Sequence, residues 1–201
     1  MEQEELNKIL ELHIKWLDNE EDGVRAILND ADLSDAKLEG ANLIGANLFD
    51  ADLSYSNLRN ADLSYSNLRN VDLRNADLRS ANLRNANLRN ADLSSTDLRN
   101  ADLRSADLYS ANLRNADLRN TDLFFTRNIY TFNAYDTSKR TVYCVRHKDT
   151  FMCQAGCFWG TLDELENKVK ETHNSKVYLG NINIMREILK DSKWTQYLGS
   201  D

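Results

Sequence analysis

Leucine recurs at every fifth position from Leu28 to Leu123, which gives twenty consecutive pentapeptides without an insertion. Two residues before most of these leucines stands an alanine, and the residue between the two is nearly always aspartate or asparagine. A period of five fits neither the 3.6-residue repeat of a helix nor the two-residue alternation of a strand. A short and constant period therefore predicts a repeat architecture.

Within each pentapeptide the alanine and the leucine are two residues apart, so in an extended backbone both point inward and the polar residue between them points outward. The other three residues must turn the chain. Four such sides close a right-handed coil of twenty residues, and successive coils pair as parallel strands ~4.8 Å apart. One side then stacks five core leucines, namely Leu28, Leu48, Leu68, Leu88 and Leu108.

This pattern resembles that of the pentapeptide-repeat family, and the resemblance covers residues 26–125. It implies a mainly β fold, a right-handed parallel square β-helix of about five coils. The inward alanine is replaced at five positions, which are Ser56, Ser66, Val71, Thr96 and Thr121. The hydroxyl groups among them need backbone partners because they are buried.

Residues 1–25 are predicted to form a helical cap, because the raw edge of a β-helix must be covered. One helical stripe holds Leu6, Ile9, Leu10, His13, Trp16 and Leu17. The helix is predicted to end near Asp22, with Gly23 as a left-handed stop. Similar lead-in residues occur in the family: His13, Trp16, Leu17, Gly23, Arg25 and Ala26. We interpret His13 as a buried capping residue rather than a catalytic one.

Residues 126–201 are predicted to form a small α+β domain. Short strands are indicated at Tyr130–Tyr135, Thr141–His147 and Thr150–Gln154. A capping box from Thr161 to Glu164 then begins the first of two helices. The second helix has a broad apolar face, which leaves a homodimer through these helices as an alternative; the face comprises Val177, Tyr178, Ile182, Ile184, Met185, Ile188 and Leu189. The segment from Gly156 onward resembles a tail of phage and mobile-element members of the family.

The composition indicates a cytoplasmic protein. The acidic start of the chain lacks the apolar run of a signal peptide, and no stretch approaches the ~20 apolar residues of a membrane span. Three cysteines without a secretion signal predict reduced thiols.

Four residues could bind a metal, namely Cys144, His147, Cys153 and Cys157. In a strand, however, Cys144 and His147 would point to opposite faces, so we favour buried structural cysteines over zinc. No catalytic or phosphate-binding motif is present, and a leucine-filled solenoid has no internal pocket. We therefore expect neither an enzyme nor a cofactor.

The outer surface of the predicted coil carries columns of arginine flanked by aspartate. One interpretation is a self-neutralising surface, because exposed ion pairs contribute little. The other is an arginine platform for a polyanion or an acidic protein, formed by Arg79, Arg84, Arg99 and Arg104. Exposed apolar side chains near the second coil either contact a partner or pack beneath a loop; these are Ile44, Phe49, Tyr55 and Tyr65.

The sequence thus favours a non-enzymatic scaffold whose partner is another protein. The family resemblance implies an alternative, since some members resemble duplex DNA, bind type II topoisomerases such as DNA gyrase and protect them from quinolones. Residues 26–58 hold six acids and one base, whereas residues 59–125 hold nine acids and ten bases. Because this charge is not uniform like that of DNA, mimicry ranks second. Nucleic acid is not expected as a partner.

Overall fold

The structure is a computed structural model, which describes residues 1–133, 141–147, 150–155, 158–172 and 176–190. Within it the chain divides into two compact units, Met1–Thr126 and Arg127–Asp201. We call them the repeat unit and the C-terminal unit, and each is described by itself.

In the repeat unit, parallel bridges join each pentapeptide to the one twenty residues later, as between Ile27 and Asn47 and between Asn47 and Asn67. Four columns of such bridges run through the unit, so each column defines one side. We number the sides from one to four by their first leucines, which are Leu28, Leu33, Leu38 and Leu43.

Every pentapeptide turns at the second residue after its leucine, where φ is positive in all twenty cases, as at Asp30 (58°). The next amide closes the turn, since the Ala31 N–H donates to the Leu28 carbonyl oxygen at 3.3 Å. The outward Asp or Asn stabilises the turn of its own pentapeptide. In the next unit, for example, Asp32 Oδ1 accepts the Ser34 N–H at 3.1 Å. This Asx turn explains why both residue types recur at that position.

The interior of the repeat unit is filled by leucine. Nineteen of the twenty repeat leucines are at most 4% exposed, and Leu123 in the last pentapeptide is half-buried. The buried hydroxyls find the expected backbone partners. Ser56 Oγ donates to the Leu53 carbonyl oxygen at 2.6 Å, and Thr96 Oγ1 donates to that of Leu73 at 2.8 Å.

Helix α1 spans Gln3–Leu17 and ends earlier than the sequence indicated. The left-handed residue after it is Asn19 (φ 58°), and the Glu20 N–H donates to the Lys15 carbonyl oxygen at 2.9 Å. The expectation of a left-handed Gly23 is therefore wrong. Glycine is needed there for space, because a Cβ would lie 2.3 Å from the Trp16 nitrogen.

His13 links α1 to the first coil. It is fully buried, and its Nδ1 accepts the Ala26 N–H at 3.1 Å. Burial lowers the pKa of His13, which favours the neutral imidazole that this acceptor role requires. Trp16 stacks on His13 with 5.4 Å between ring centroids, but it is 39% exposed rather than buried in the stripe.

The C-terminal unit contains an antiparallel sheet in the order β1-β2-β3-β4. Its strands are β1 (Ile129–Asn133), β2 (Thr141–His147), β3 (Thr150–Ala155) and β4 (Phe158–Thr161), followed by helices α2 (Leu162–Thr172) and α3 (Lys176–Lys190). Strand β4 was not predicted as a strand. The predicted first strand ran to Tyr135, and its last two residues lie outside the described part of the chain.

The core of this unit joins one face of the sheet to both helices. Its buried residues are Val142, Cys144, Phe151, Cys153, Leu162, Leu165, Val169, Tyr178, Ile182 and Met185. The predicted capping box is present: the Thr161 N–H donates to Glu164 Oε2 at 2.7 Å, and the Glu164 N–H donates to Thr161 Oγ1 at 3.3 Å. Ile184 on α3 is 60% exposed.

Candidate functional site

Ten arginines follow repeat leucines, and they fall into two classes by the residue before the leucine. Five belong to Asp-Leu-Arg pentapeptides, namely Arg74, Arg79, Arg99, Arg104 and Arg119. Five belong to Asn-Leu-Arg pentapeptides, namely Arg59, Arg69, Arg84, Arg89 and Arg114. Both classes point outward, and the structure gives them different partners.

In the Asp-Leu-Arg class the guanidinium group folds back onto its own aspartate. Arg99 Nε donates to Asp97 Oδ1 at 2.8 Å, and Arg99 Nη2 donates to Asp97 Oδ2 at 2.6 Å. All five members make this pair. Forked pairs of this kind have fixed geometry and are the stronger form of ion pair.

On the third side these pairs join into a continuous ladder. Arg79 Nε lies 3.5 Å from Asp97 Oδ2, and Arg99 Nε lies 3.7 Å from Asp117 Oδ2, one coil further on in each case. Hydrogen bonding from Arg99 lowers the pKa of the Asp97 carboxyl below its ordinary value. The same bond raises the pKa of Arg99 above its ordinary value. Positive and negative charges therefore alternate along this side.

In the Asn-Leu-Arg class an asparagine stands in place of the aspartate. Its amide can stabilise the turn but cannot form an ion pair with the guanidinium group. Within the described part of the chain, four of its members make no ion pair or side-chain hydrogen bond, and these are Arg59, Arg69, Arg84 and Arg114. Arg89 differs. Its guanidinium carbon lies 4.6 Å from the Tyr109 ring centroid, and its Nη1 lies 3.7 Å from Asp107 Oδ2.

The predicted platform therefore mixes the two classes. Arg79, Arg99 and Arg104 are each held by their own aspartates, whereas Arg84 follows Asn82 and is exposed. The predicted binding role of these four residues stays a prediction. The signal that separates them is the choice between Asp and Asn two residues earlier; the sequence prediction recognised the flanking aspartates but did not separate the arginines that follow asparagine.

The apolar residues near the second coil also differ in exposure. Tyr55 and Tyr65 are 63% and 66% exposed, and both occupy left-handed corner positions with φ of 60° and 58°. Ile44 and Phe49 are only partly exposed. The expectation that all four are exposed is therefore wrong for these last two.

The candidate metal ligands are arranged differently from the prediction. Cys144 in β2 pairs directly with Cys153 in β3, with Cα atoms 4.1 Å apart, and the two form a disulfide in the buried core. The expectation of reduced thiols is wrong for this pair, because the hairpin register places them opposite each other. His147 pairs with Thr150, and Cys157 lies outside the described residues. The described residues contain no cluster of three or more metal-ligating side chains.

Among the described helices, none combines the length and the apolar character that a bilayer crossing needs.

Comparison with known proteins gives the following similarities. The family model for pentapeptide repeats (8 copies) matches residues 26–64, 56–94 and 86–123. The pentapeptide repeat protein Rfr23 from the cyanobacterium Cyanothece 51142 is 46% identical over 43% of this chain and 58% of its own, with a TM-score of 0.43. The chain thus spans less than two thirds of that protein. No curated protein sequence matches the chain.

Two further solved structures are similar. The pentapeptide repeat protein alr5209 from Nostoc PCC 7120 is 35% identical over 57% of this chain and 72% of its own, with a TM-score of 0.27. QnrB1, a plasmid-mediated fluoroquinolone resistance protein, is 25% identical over 50% of this chain and 59% of its own, with a TM-score of 0.32. From the family match and the identity over most of alr5209, the chain belongs to the pentapeptide-repeat family.

Proposed function

We propose that the protein is a non-enzymatic scaffold, a right-handed square β-helix of about five coils that presents its outer sides to another protein. One observation carries this proposal. Leucine occupies the interior and the Asp or Asn residues secure the turns, so functional variation is confined to the side chains just after each leucine and at the corners. Those positions form regular surface columns, which suit recognition of a macromolecule.

The chemistry of the repeat unit supports a binding role over a catalytic one. Its one histidine, His13, accepts the Ala26 amide and is sealed from solvent. Aspartates such as Asp97 accept both a backbone amide and a guanidinium group, and hydrogen bonding lowers their pKa. A general acid or base needs a pKa near the working pH and access to a substrate. Burial denies His13 access to a substrate, and hydrogen bonding moves the pKa of Asp97 further below the working pH.

The scaffold proposal is tested by affinity purification with the full-length chain, followed by titration calorimetry with the recovered and purified partner. We expect saturable binding by a defined protein. The matched control replaces outward residues only, for example Arg69→Ser and Arg84→Ser, since serine follows several repeat leucines. If no purified protein binds saturably at high micromolar concentration, the proposal is wrong. A second copy of the chain binding through α3, where Ile184 is exposed, would replace it with the homodimer alternative.

A second candidate function is DNA mimicry toward DNA gyrase. The second side favours it, because four stacked aspartates follow its bridge column, namely Asp32, Asp52, Asp72 and Asp92. The test is a gyrase supercoiling assay with and without a quinolone. Asp→Asn changes at Asp52 and Asp92 make the control, because asparagine keeps the turn and removes the charge. Inhibition or protection that this variant loses would support mimicry, and no effect from the folded native protein would exclude it.

A further inference from the structure

We propose that the first side of the repeat unit is the docking face, and that it takes a segment of a protein partner in which a carboxylate lies beside an apolar side chain. This inference rests on the proposed scaffold function and names the chemistry of its partner. We define the docking face by its outer column, Phe49, Arg69, Arg89 and Tyr109, together with the asparagines that precede Phe49, Arg69 and Arg89 by two residues.

The backbone aligns this column in register. The Asp50 N–H donates to the Arg69 carbonyl oxygen at 3.1 Å, and the Asn70 N–H donates to that of Arg89 at 2.9 Å. The Asn90 N–H likewise donates to the Tyr109 carbonyl oxygen at 2.8 Å. The four side chains therefore follow one another at intervals of ~4.8 Å, and the column is ~14 Å long. Two arginines stand between two aromatic rings.

The first side differs from the others in the residues beside its arginines. Asparagine precedes both of them, and Asn67 Nδ2 donates to Asn47 Oδ1 at 2.9 Å, which builds an amide ladder where other sides carry carboxylates. The carboxylate in this bridge column is Asp107, whose side chain is 6% exposed and lies against Arg89. The surface of this column is therefore cationic, amide and aromatic.

Arg69 is the available cation of the docking face. It is exposed, and within the described residues its guanidinium group has no carboxylate or hydrogen-bonding partner. Arg89 is instead fixed against the Tyr109 ring and Asp107, and only 22% of its side chain is exposed. A free arginine beside aromatic surface is typical of the residues that contribute most to protein–protein affinity.

Tyr65 adds a third aromatic group, at the corner just before the Arg69 pentapeptide. Its φ of 58° is uncommon for a bulky residue, and most other corners hold Asn, Asp, Ser or Gly. An aromatic residue held in this region costs free energy and is therefore more common where it contributes to binding. Tyr65 is 66% exposed, so its ring is available to a partner.

Charge favours a protein segment over a nucleic acid. The chain carries a net charge of −7, and Asp30 and Asp50 occupy the corner next to this side in the first two coils. A polyanion laid along the docking face would meet these carboxylates, and only Arg69 is free to offset them. One carboxylate with an apolar neighbour needs only Arg69 and the adjoining rings.

The chain supplies its own control. Residues 51–60 and 61–70 have identical sequences, so Arg59 and Tyr55 repeat the local context of Arg69 and Tyr65 half a coil earlier. Arg59 lies on the third side, in the same column as Glu39 and the paired Arg79. Matched variants Arg69→Glu and Arg59→Glu therefore change net charge equally on different sides.

The test selects random twelve-residue peptides displayed on phage against the full-length chain. Fluorescence anisotropy of enriched peptides then measures affinity for the native chain and both variants. We expect enriched peptides to pair Asp or Glu with an apolar residue. Their affinity should fall at least tenfold with Arg69→Glu, about threefold to tenfold with Tyr65→Ser, and less than twofold with Arg59→Glu or Tyr55→Ser.

Five results would overturn the inference. Enrichment of basic or uncharged peptides would contradict the proposed chemistry, and equal losses with Arg69→Glu and Arg59→Glu would contradict the proposed face. Binding of a labelled oligothymidylate that Arg69→Glu abolishes would assign the face to nucleic acid. Acidic peptides that bind independently of Arg69 would leave the scaffold function standing and remove only this face. If no peptide or protein ligand is found, both the docking face and the scaffold function are contradicted.

Discussion

The repeat unit and the C-terminal unit encode their structures in different ways. In the repeat unit every bridge joins residues twenty apart, so the neighbours of any side chain follow from its number. In the C-terminal unit neighbours depend on where hairpins turn and how two helices cover a sheet. Periodic packing can therefore be predicted from one sequence, whereas the register of each antiparallel strand pair must be inferred separately from its turn.

The largest expected effect is the loss of a leucine from the middle of the repeat unit. Leu78→Ala should lower the free energy of unfolding by about 3–5 kcal/mol, because Leu78 is fully buried in the middle of the leucine-filled interior and its truncation leaves a cavity. Urea unfolding followed by circular dichroism measures this loss. The control is Leu123→Ala in the half-buried last pentapeptide, which should cost less than half as much. Equal losses would contradict the coil-by-coil description.

The next effect concerns the disulfide of the C-terminal unit. The Cys144→Ala/Cys153→Ala variant should lose about 2.5–3 kcal/mol by the chain-entropy argument, since the bond joins residues nine apart in sequence. Hydrogen exchange should show faster opening of β2 and β3 and unchanged exchange in the repeat unit. Thiol labelling of the denatured, non-reduced native chain checks the bond itself: it should modify only one of the three cysteines. Modification of all three would contradict the pairing.

A smaller change in stability is expected from a substitution at a corner position of the repeat unit. Tyr55→Asn should raise the stability of the repeat unit by about 1 kcal/mol, because asparagine tolerates a left-handed backbone and most other corners already hold small polar residues. Thermal unfolding of Tyr55→Asn against Tyr109→Asn measures the difference. Tyr109 stacks on Arg89, so its replacement should destabilise instead. A change in stability of the same sign in both variants would contradict the assignment of backbone strain to the corner.

The sequence was sufficient for the periodic part of the fold and for much of the rest. The leucine spacing predicted which residues are buried, and the capping box predicted the start of α2. It failed at the Gly23 stop because steric contact with Trp16, rather than backbone handedness, requires that glycine. It also missed strand β4, whose four residues are too few for a periodic signal.

The disulfide and the free arginines could both have been read from the sequence. The predicted strands end at His147 and resume at Thr150, and a hairpin with that pairing places Cys144 opposite Cys153. Cysteine spacing alone, without the strand register, does not reveal this pairing. Likewise, the arginine columns were predicted to be flanked by aspartate, without separating the arginines that follow asparagine. The exposure of Ile44 and Phe49 could not be derived, because it depends on how neighbouring side chains cover them.

Acid sensitivity follows from the same aspartates. Hydrogen bonding from arginine lowers the pKa of Asp77, Asp97 and Asp117 in the folded state. Their stabilising contribution is therefore complete above the unfolded value of 3.8 and is lost as the pH falls through the lower folded values. The repeat unit should begin to lose stability below about pH 4. Urea midpoints between pH 2 and 7 measure this, and a midpoint that is constant to pH 2 would contradict it.

The central claim is that an aspartate two residues earlier neutralises a repeat arginine, whereas four of the five arginines that follow asparagine make no ion pair within the described residues. The most direct measurement is the NMR titration of the Asp97 carboxyl carbon in the native chain and in Arg99→Gln and Arg59→Gln variants. We predict a pKa below 3.8 in the native chain, a rise toward 3.8 with Arg99→Gln, and no change with Arg59→Gln. An Asp97 that titrates at its ordinary value, or that does not respond to Arg99→Gln, would contradict the claim.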